Sequence, residues 1–188
     1  MTEEQRSGSA DSIAYEWWRG LNPKDTEPSG HQRAALARLR RAGTPIEVFQ
    51  EPEALRLTAR LPSFGDSERV AILAGVLAFV RETDDRRVAR AVGRVSLDDD
   101  KSALLSESRF RRLLQVPASD LMDPMRRLVR MTKGTISVRD LSRSILYWGD
   151  REKKRWIFDY YAVGTAAPDR ASDSPAADRM ERQGPEND

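Results

Sequence analysis

From Ser67 to Glu82 the chain places apolar side chains on nearly every face that a helix would have: Val70, Ile72, Leu73, Val76, Leu77, Phe79 and Val80. A helix apolar all round is stable only when neighbours cover it on every side. The apolar run from Val70 to Val80 is too short to span a bilayer, which takes about 20 residues. The segment therefore demands a protein shell of other helices, and the remaining sequence has to supply it.

It does so with short amphipathic segments. Ile13 to Leu21 reads as a helix with an aromatic anchor at Tyr15, Trp17 and Trp18, closed by Asn22-Pro23. His31 to Arg41 follows a Pro-, Asp- and Ser-rich loop, with Ser29 or Gly30 as its cap, and ends before Gly43 and Pro45. Val48 to Leu61 contains Pro52-Glu53-Ala54-Leu55, a good helix start. Arg86 to Arg94 is a shorter basic helix, and Asp98-Asp99-Asp100-Lys101 is a loop. Beyond it, helices are predicted over 106–115, 119–132, 137–148 and 150–162, with Ser137 and Asp150 as caps and Pro124 marking either a kink or the onset of the second. Strand signals are weak; Thr135 to Val138 is short and polar. The expected fold is all-α, a two-part bundle of about eight or nine helices with a basic groove. Its parts are an N-terminal helical half over 12–100 and a C-terminal four-helix half over 101–164. Residues 1–11 and the acidic tail at 165–188, with Pro168, Pro175 and Pro185, are expected to be disordered.

Charge is unevenly spread. The formal net charge is only +2, but the two ends hold an excess of acid. Residues 13–164 carry 28 basic against 21 acidic side chains, and residues 106–164 carry 13 against 7. At about 100° per residue, Arg126, Arg130 and Lys133 share a stripe with Arg127 at its flank, opposite Leu121, Met125, Leu128 and Val129. Phe110, Leu113 and Leu114 point away from Arg111 and Arg112, with Arg109 on the border; Arg139 and Arg143 lie one turn apart, and Arg151 and Arg155 pair at i,i+4. Guanidinium is planar, permanently charged and matched to phosphate oxygens, so the array reads as a polyanion-binding surface. The aromatics, including Trp148 and Trp156, sit at helical spacing beside Leu and Ile and are assigned to packing rather than to base stacking.

Catalytic chemistry finds no support. There is no cysteine and one histidine, His31, so neither a zinc site nor a Ser-His-Asp arrangement can be assembled. Adjacent acids at 98–100 diverge in direction, and Gly93, Gly134 and Gly149 fit no phosphate-loop pattern. No catalytic residue, metal site, cofactor or small-molecule substrate is expected. The N-terminus lacks a basic region followed by an apolar stretch, so cytoplasmic residence without a membrane association is expected.

Several residues in order carry a family resemblance: Tyr15-Glu16-Trp17-Trp18; Leu39-Arg40-Arg41 before a Pro/Glu-Leu segment; Phe64-Gly65 before the apolar helix that opens with Arg69; Ser106-Glu107-x-Arg109-Phe110-x-x-Leu113-Leu114; Leu128 and Val129 behind Arg126-Arg127; and Tyr147-Trp148-Gly149 before Arg151-Glu152. Over roughly 12–162 the chain resembles the small subunit (CasB family) of the type I-E CRISPR surveillance complex, Cascade. The resemblance implies an all-helical, non-enzymatic subunit that works in antiviral defence. Its partners would be other Cascade subunits, a second copy of itself, guide RNA and target DNA, with the guide-bound target strand and the displaced strand of the R-loop held by basic residues. On matching positions these are Arg40, Arg41, Arg69, Arg109, Arg126, Arg127 and Arg151, with Lys153 matching less closely; Arg130 joins them from the wheel. Asp150 stands where some relatives carry a base. Two other readings remain open: a helical DNA-binding transcriptional regulator using 137–148 and 150–161 as a helix-turn-helix-like pair, and a protein-interaction scaffold whose arginines meet acidic partners.

Overall fold

The computed structural model of the protein describes residues 9–61, 65–99 and 101–163. Phe64, Asp100, residues 1–8 and the 165–188 tail lie outside the described residues; of the segment 1–11 for which disorder was expected, Ala10 and Asp11 instead begin a helix. Ten α-helices are present among those described: α1 (Ala10–Leu21), α2 (Gly30–Arg41), α3 (Pro45–Phe49), α4 (Pro52–Arg60), α5 (Ser67–Leu77), α6 (Val88–Val92), α7 (Glu107–Leu114), α8 (Met122–Met131), α9 (Val138–Leu146) and α10 (Asp150–Tyr160), with a 3-10 turn at Ala118–Asp120 before α8.

The all-apolar segment is central. Asp66 caps α5 by accepting from the Arg69 amide at 3.1 Å, and every residue from Val70 to Leu77 is buried. Helices α2, α3 and α4 cover one part of its circumference, and α8, α9 and the 3-10 turn cover another. Gly75 sets how closely they approach: a Cβ there would meet Val48 Cγ2 at 3.1 Å and Met122 Sδ at 3.2 Å. α1 packs along α9, and α10 along α6. One continuous cluster of buried side chains runs from Ala14 to Tyr160.

Local chemistry explains most boundaries. Ser29 and Gln32 form a reciprocal capping box on α2, Thr44 caps α3, and Ser137 caps α9 through the Asp140 amide. The helix start expected at Pro52 opens α4, and α3 ends just before it, because Pro52 has no amide hydrogen with which to continue that helix. α5 stops at Leu77 rather than Glu82. The chain then runs out so that the Arg81 and Glu82 amides donate to Gly134 O and the Ile136 amide donates to Glu82 O, an isolated parallel bridge with the Thr135 segment. Pro124 sits in the first turn of α8, where its missing amide leaves no bond unmade. The cap of α10 is Gly149; Asp150 is its first helical residue and adds negative charge to that turn.

The tryptophans pack, as their spacing predicts. Trp17 and Trp18 donate through Nε1 to Glu53 O and Val80 O at 2.9 and 3.1 Å, Trp148 to Val116 O at 3.0 Å, and Trp156 to Ser144 Oγ at 2.9 Å. Under α10 lies a buried polar cluster in which Arg155 pairs with Glu152, Asp140 (2.7 Å) and Asp159 (3.3 Å). Burial opposes the Arg155 charge, but the hydrogen bond with Glu152 and the charge of Asp140 outweigh it and raise its pKa. This cation is consumed by the fold.

Candidate nucleic-acid interface

Helices α7 and α8 turn their apolar stripes inward and their cations outward. On α7, Phe110 stacks on Tyr160 with ring centroids 3.8 Å apart, and Leu113 is buried beside it. Glu107 holds both Arg94 (2.5 Å) and Arg111, so those two guanidiniums are neutralised locally. Arg109 and Arg112 have no ion pair among the described residues, and neither does Arg127 on α8; all three are exposed. They converge. A groove of about 460 Å³ between α7 and α8 is rimmed by Arg109, Arg112 and Arg127 and floored by aliphatic side chains, chiefly Leu113, Val116, Leu128 and Met131. Among the described residues no carboxylate lines it.

Arg126 corrects the wheel reading, which left it exposed on a cationic stripe. It is buried, with 4% of its surface accessible. The wheel gives angles but not the width of the contact, and α8 presses on α5 so closely at Gly75 that Arg126 falls within it. There it donates to Gly75 O (3.1 Å), Ala42 O (2.7 Å) and Leu39 O (3.1 Å). Those carbonyls belong to the C-terminal turns of α5 and α2, which lack helical partners and carry the negative end of each helix dipole. Burial pushes the Arg126 pKa down; Asp123 opposes that, and Arg130 adds to it.

Two further candidates cap helix ends in the same way. Arg40 donates through Nε to Ala78 O at 2.6 Å, closing α5. Burial and the neighbouring Arg81 both lower its pKa, and an anion beside it would relieve both costs. Arg69 lies 2.9 Å from Asp66 Oδ2 and donates through Nη1 to Leu146 O, the last residue of α9, at 2.9 Å.

Arg130 stands over the Phe79 ring at 4.7 Å, the ring that Arg126 also approaches, at 5.2 Å. Arg40, Arg81 and Arg130 thus form a second cationic patch around the C-terminal end of α5, with Arg41 exposed on the adjacent helix.

Arg151 lies elsewhere, in a hollow of about 320 Å³ that also contains Asp11, Arg143, Tyr147 and Glu152, so its surroundings are of mixed charge. Lys153 is half-buried with Nζ 5.7 Å from the Trp148 ring centroid. The structure therefore brings Arg109 and Arg127 together, groups Arg40 and Arg130 around Phe79 above the buried Arg126, and sets Arg69, Arg151 and Lys153 apart. Sequence reasoning missed Arg112 and Arg81. Arg112 follows Arg109 by three residues, the spacing that puts two side chains on one helix face. Arg81 was hidden by reading α5 through to Glu82.

Among the described residues no group of three His, Asp or Glu side chains could hold a metal, and no helix is long and apolar enough to cross a membrane. His31 is exposed, 3.3 Å from Glu53 Oε1.

With this geometry in place, likeness to known proteins becomes informative. The family described as CRISPR-associated protein Cse2 matches residues 35–161. A chain in the crystal structure of E. coli Cascade bound to a PAM-containing dsDNA target has a similar fold: the TM-score is 0.57 at 18% identity, covering 79% of this chain and 94% of that one. No curated protein matched in a sequence search.

Proposed function

The chain belongs to the CRISPR-associated Cse2 family, and from that premise we propose that it is the non-catalytic small subunit of a type I-E Cascade complex. In that role it holds guide-bound target DNA and the displaced strand in the cytoplasm, beside the other subunits and a second copy of itself. The observation that carries this reading is the convergence of Arg109, Arg112 and Arg127, all without an acidic partner among the described residues, on one groove between two helices. The Arg40, Arg81, Arg130 patch supports it as a second site of phosphate contact.

The physics suits the role. Guide and target read sequence by base pairing, and exchanging a DNA duplex for a hybrid is nearly balanced in free energy. A few phosphate contacts are then enough to bias the exchange, and they require no base identity. An acidic protein surface could meet the same rim, and salt-sensitive single-strand binding by the isolated chain is what separates that scaffold from a strand-holding subunit. Trp156 and Tyr160, on the helix a regulator would insert into DNA, are both buried.

The test is charge reversal at Arg109 and Arg127 together. The R109E/R127E variant should assemble and melt like the native protein, because neither side chain has an ion pair among the described residues. Target-DNA retention by the assembled complex should fall by about tenfold or more, since two contacts to ionised phosphates become repulsive. Undiminished retention would remove the groove from the account.

A further inference from the structure

We propose that the groove between α7 and α8 seats an unstacked nucleobase of a single strand, on an aliphatic floor beneath the three guanidiniums. This deepens the strand-holding reading and rests on it, but it is argued from a separate observation. Phosphates need only the rim. They give no reason for the floor, where Leu113, Val116, Leu128 and Met131 open onto a groove of about 460 Å³, within the size range of small-ligand sites.

The groove is built rather than incidental. Its α7 wall is fixed by the Phe110–Tyr160 stack, and the carbonyl of Val116 is held by Trp148 Nε1 at 3.0 Å. A nucleobase matches what these walls offer. Its two faces are apolar, and its edge carries acceptors such as guanine O6 and N7. The rim presents guanidinium donors and no carboxylate, so donors meet acceptors while the backbone phosphates stay on the same cations. A base paired inside a duplex cannot enter without being extruded, which costs a few kcal/mol. The groove should therefore favour single strands over duplexes by more than their charge explains.

An abasic strand separates the two contributions, because it keeps every phosphate and loses the bases. Binding of the full chain to a short single-stranded DNA, to an abasic strand of equal length and to the corresponding duplex would be compared at one salt concentration. The intact strand should bind about tenfold tighter than the abasic one, near the lower end of what a base stacked on an aromatic ring contributes, because this floor is aliphatic. Met131→Ala and Val116→Ala, at half-buried floor positions, should weaken the intact strand and leave the abasic strand unchanged. Equal binding of intact and abasic strands would overturn the base seat while leaving the cationic reading standing. An intact-strand preference untouched by both floor variants would place the base elsewhere and refute this groove, whereas no salt-sensitive binding to any of the three would refute the strand-holding reading itself. A floor that instead receives an apolar side chain of a partner protein would show equal strand affinities together with impaired assembly of the M131A complex.

Discussion

Two adjacent arginines on α8 do opposite work. Among the described residues, Arg127 faces the groove without an ion pair, while Arg126 is sealed between α2, α5 and α8 with no carboxylate in salt-bridge contact. Taking a guanidinium out of water costs several kcal/mol, and here helix C-terminal carbonyls and the Phe79 ring offset that cost. Removing the side chain strands three buried carbonyls and leaves a void. Arg126→Ala should therefore destabilise the protein by about 3–5 kcal/mol, measured by chemical denaturation. Arg130→Ala, which loses one cation–π contact at the surface, should cost about 1 kcal/mol or less. Equal costs would show that Arg126 does not hold the helices together. With the larger cost at Arg126, its substitution lowers nucleic-acid binding through the fold, and that loss is no sign of phosphate contact.

At the scale of elements, close approaches decide where helices sit. Gly93 follows α6, and a Cβ there would lie 2.4 Å from the Tyr160 carbonyl, so α6 and α10 can pack as they do only with hydrogen at that position. Gly20, exposed near the end of α1, has nothing within 4 Å of an added Cβ. Gly93→Ala should thus lower stability by roughly 1–3 kcal/mol, as forced overpacking does, while Gly20→Ala should raise it by about 0.5–1 kcal/mol. Thermal melts of the two variants moving in the same direction would contradict this. Most helix positions were legible in the sequence because capping residues and prolines act locally: Ser29, Pro52 and Ser137 sit where the chain starts to coil, while the short α3 behind Thr44 went unread. The end of α5 was not, because an unbroken apolar run hides the point at which Arg81 and Glu82 turn to bond Gly134. That bond joins residues far apart in sequence, and periodicity carries no signal for it.

For the whole molecule, the central question is which cations remain for a ligand once the fold has used its share. The sequence shows an excess of basic residues and their helical faces, and the family resemblance singles out Arg109 and Arg127, but the groove on which they meet is set by how α7 and α8 pack. It could not show that Arg155, Arg69 and Arg126 would be spent on carboxylates and helix ends, since those partners come from other helices. What remains, among the described residues, is an acid-free groove between α7 and α8 and a cationic patch beside Phe79. The most direct test measures single-strand binding by the full chain over a salt series, for the native protein and for Arg109→Gln with Arg127→Gln. The account predicts a steep native dependence and, in the variant, a plot of log affinity against log salt shallower by about 1.4, or roughly 0.7 for each phosphate contact removed. Superimposable slopes and affinities would contradict it.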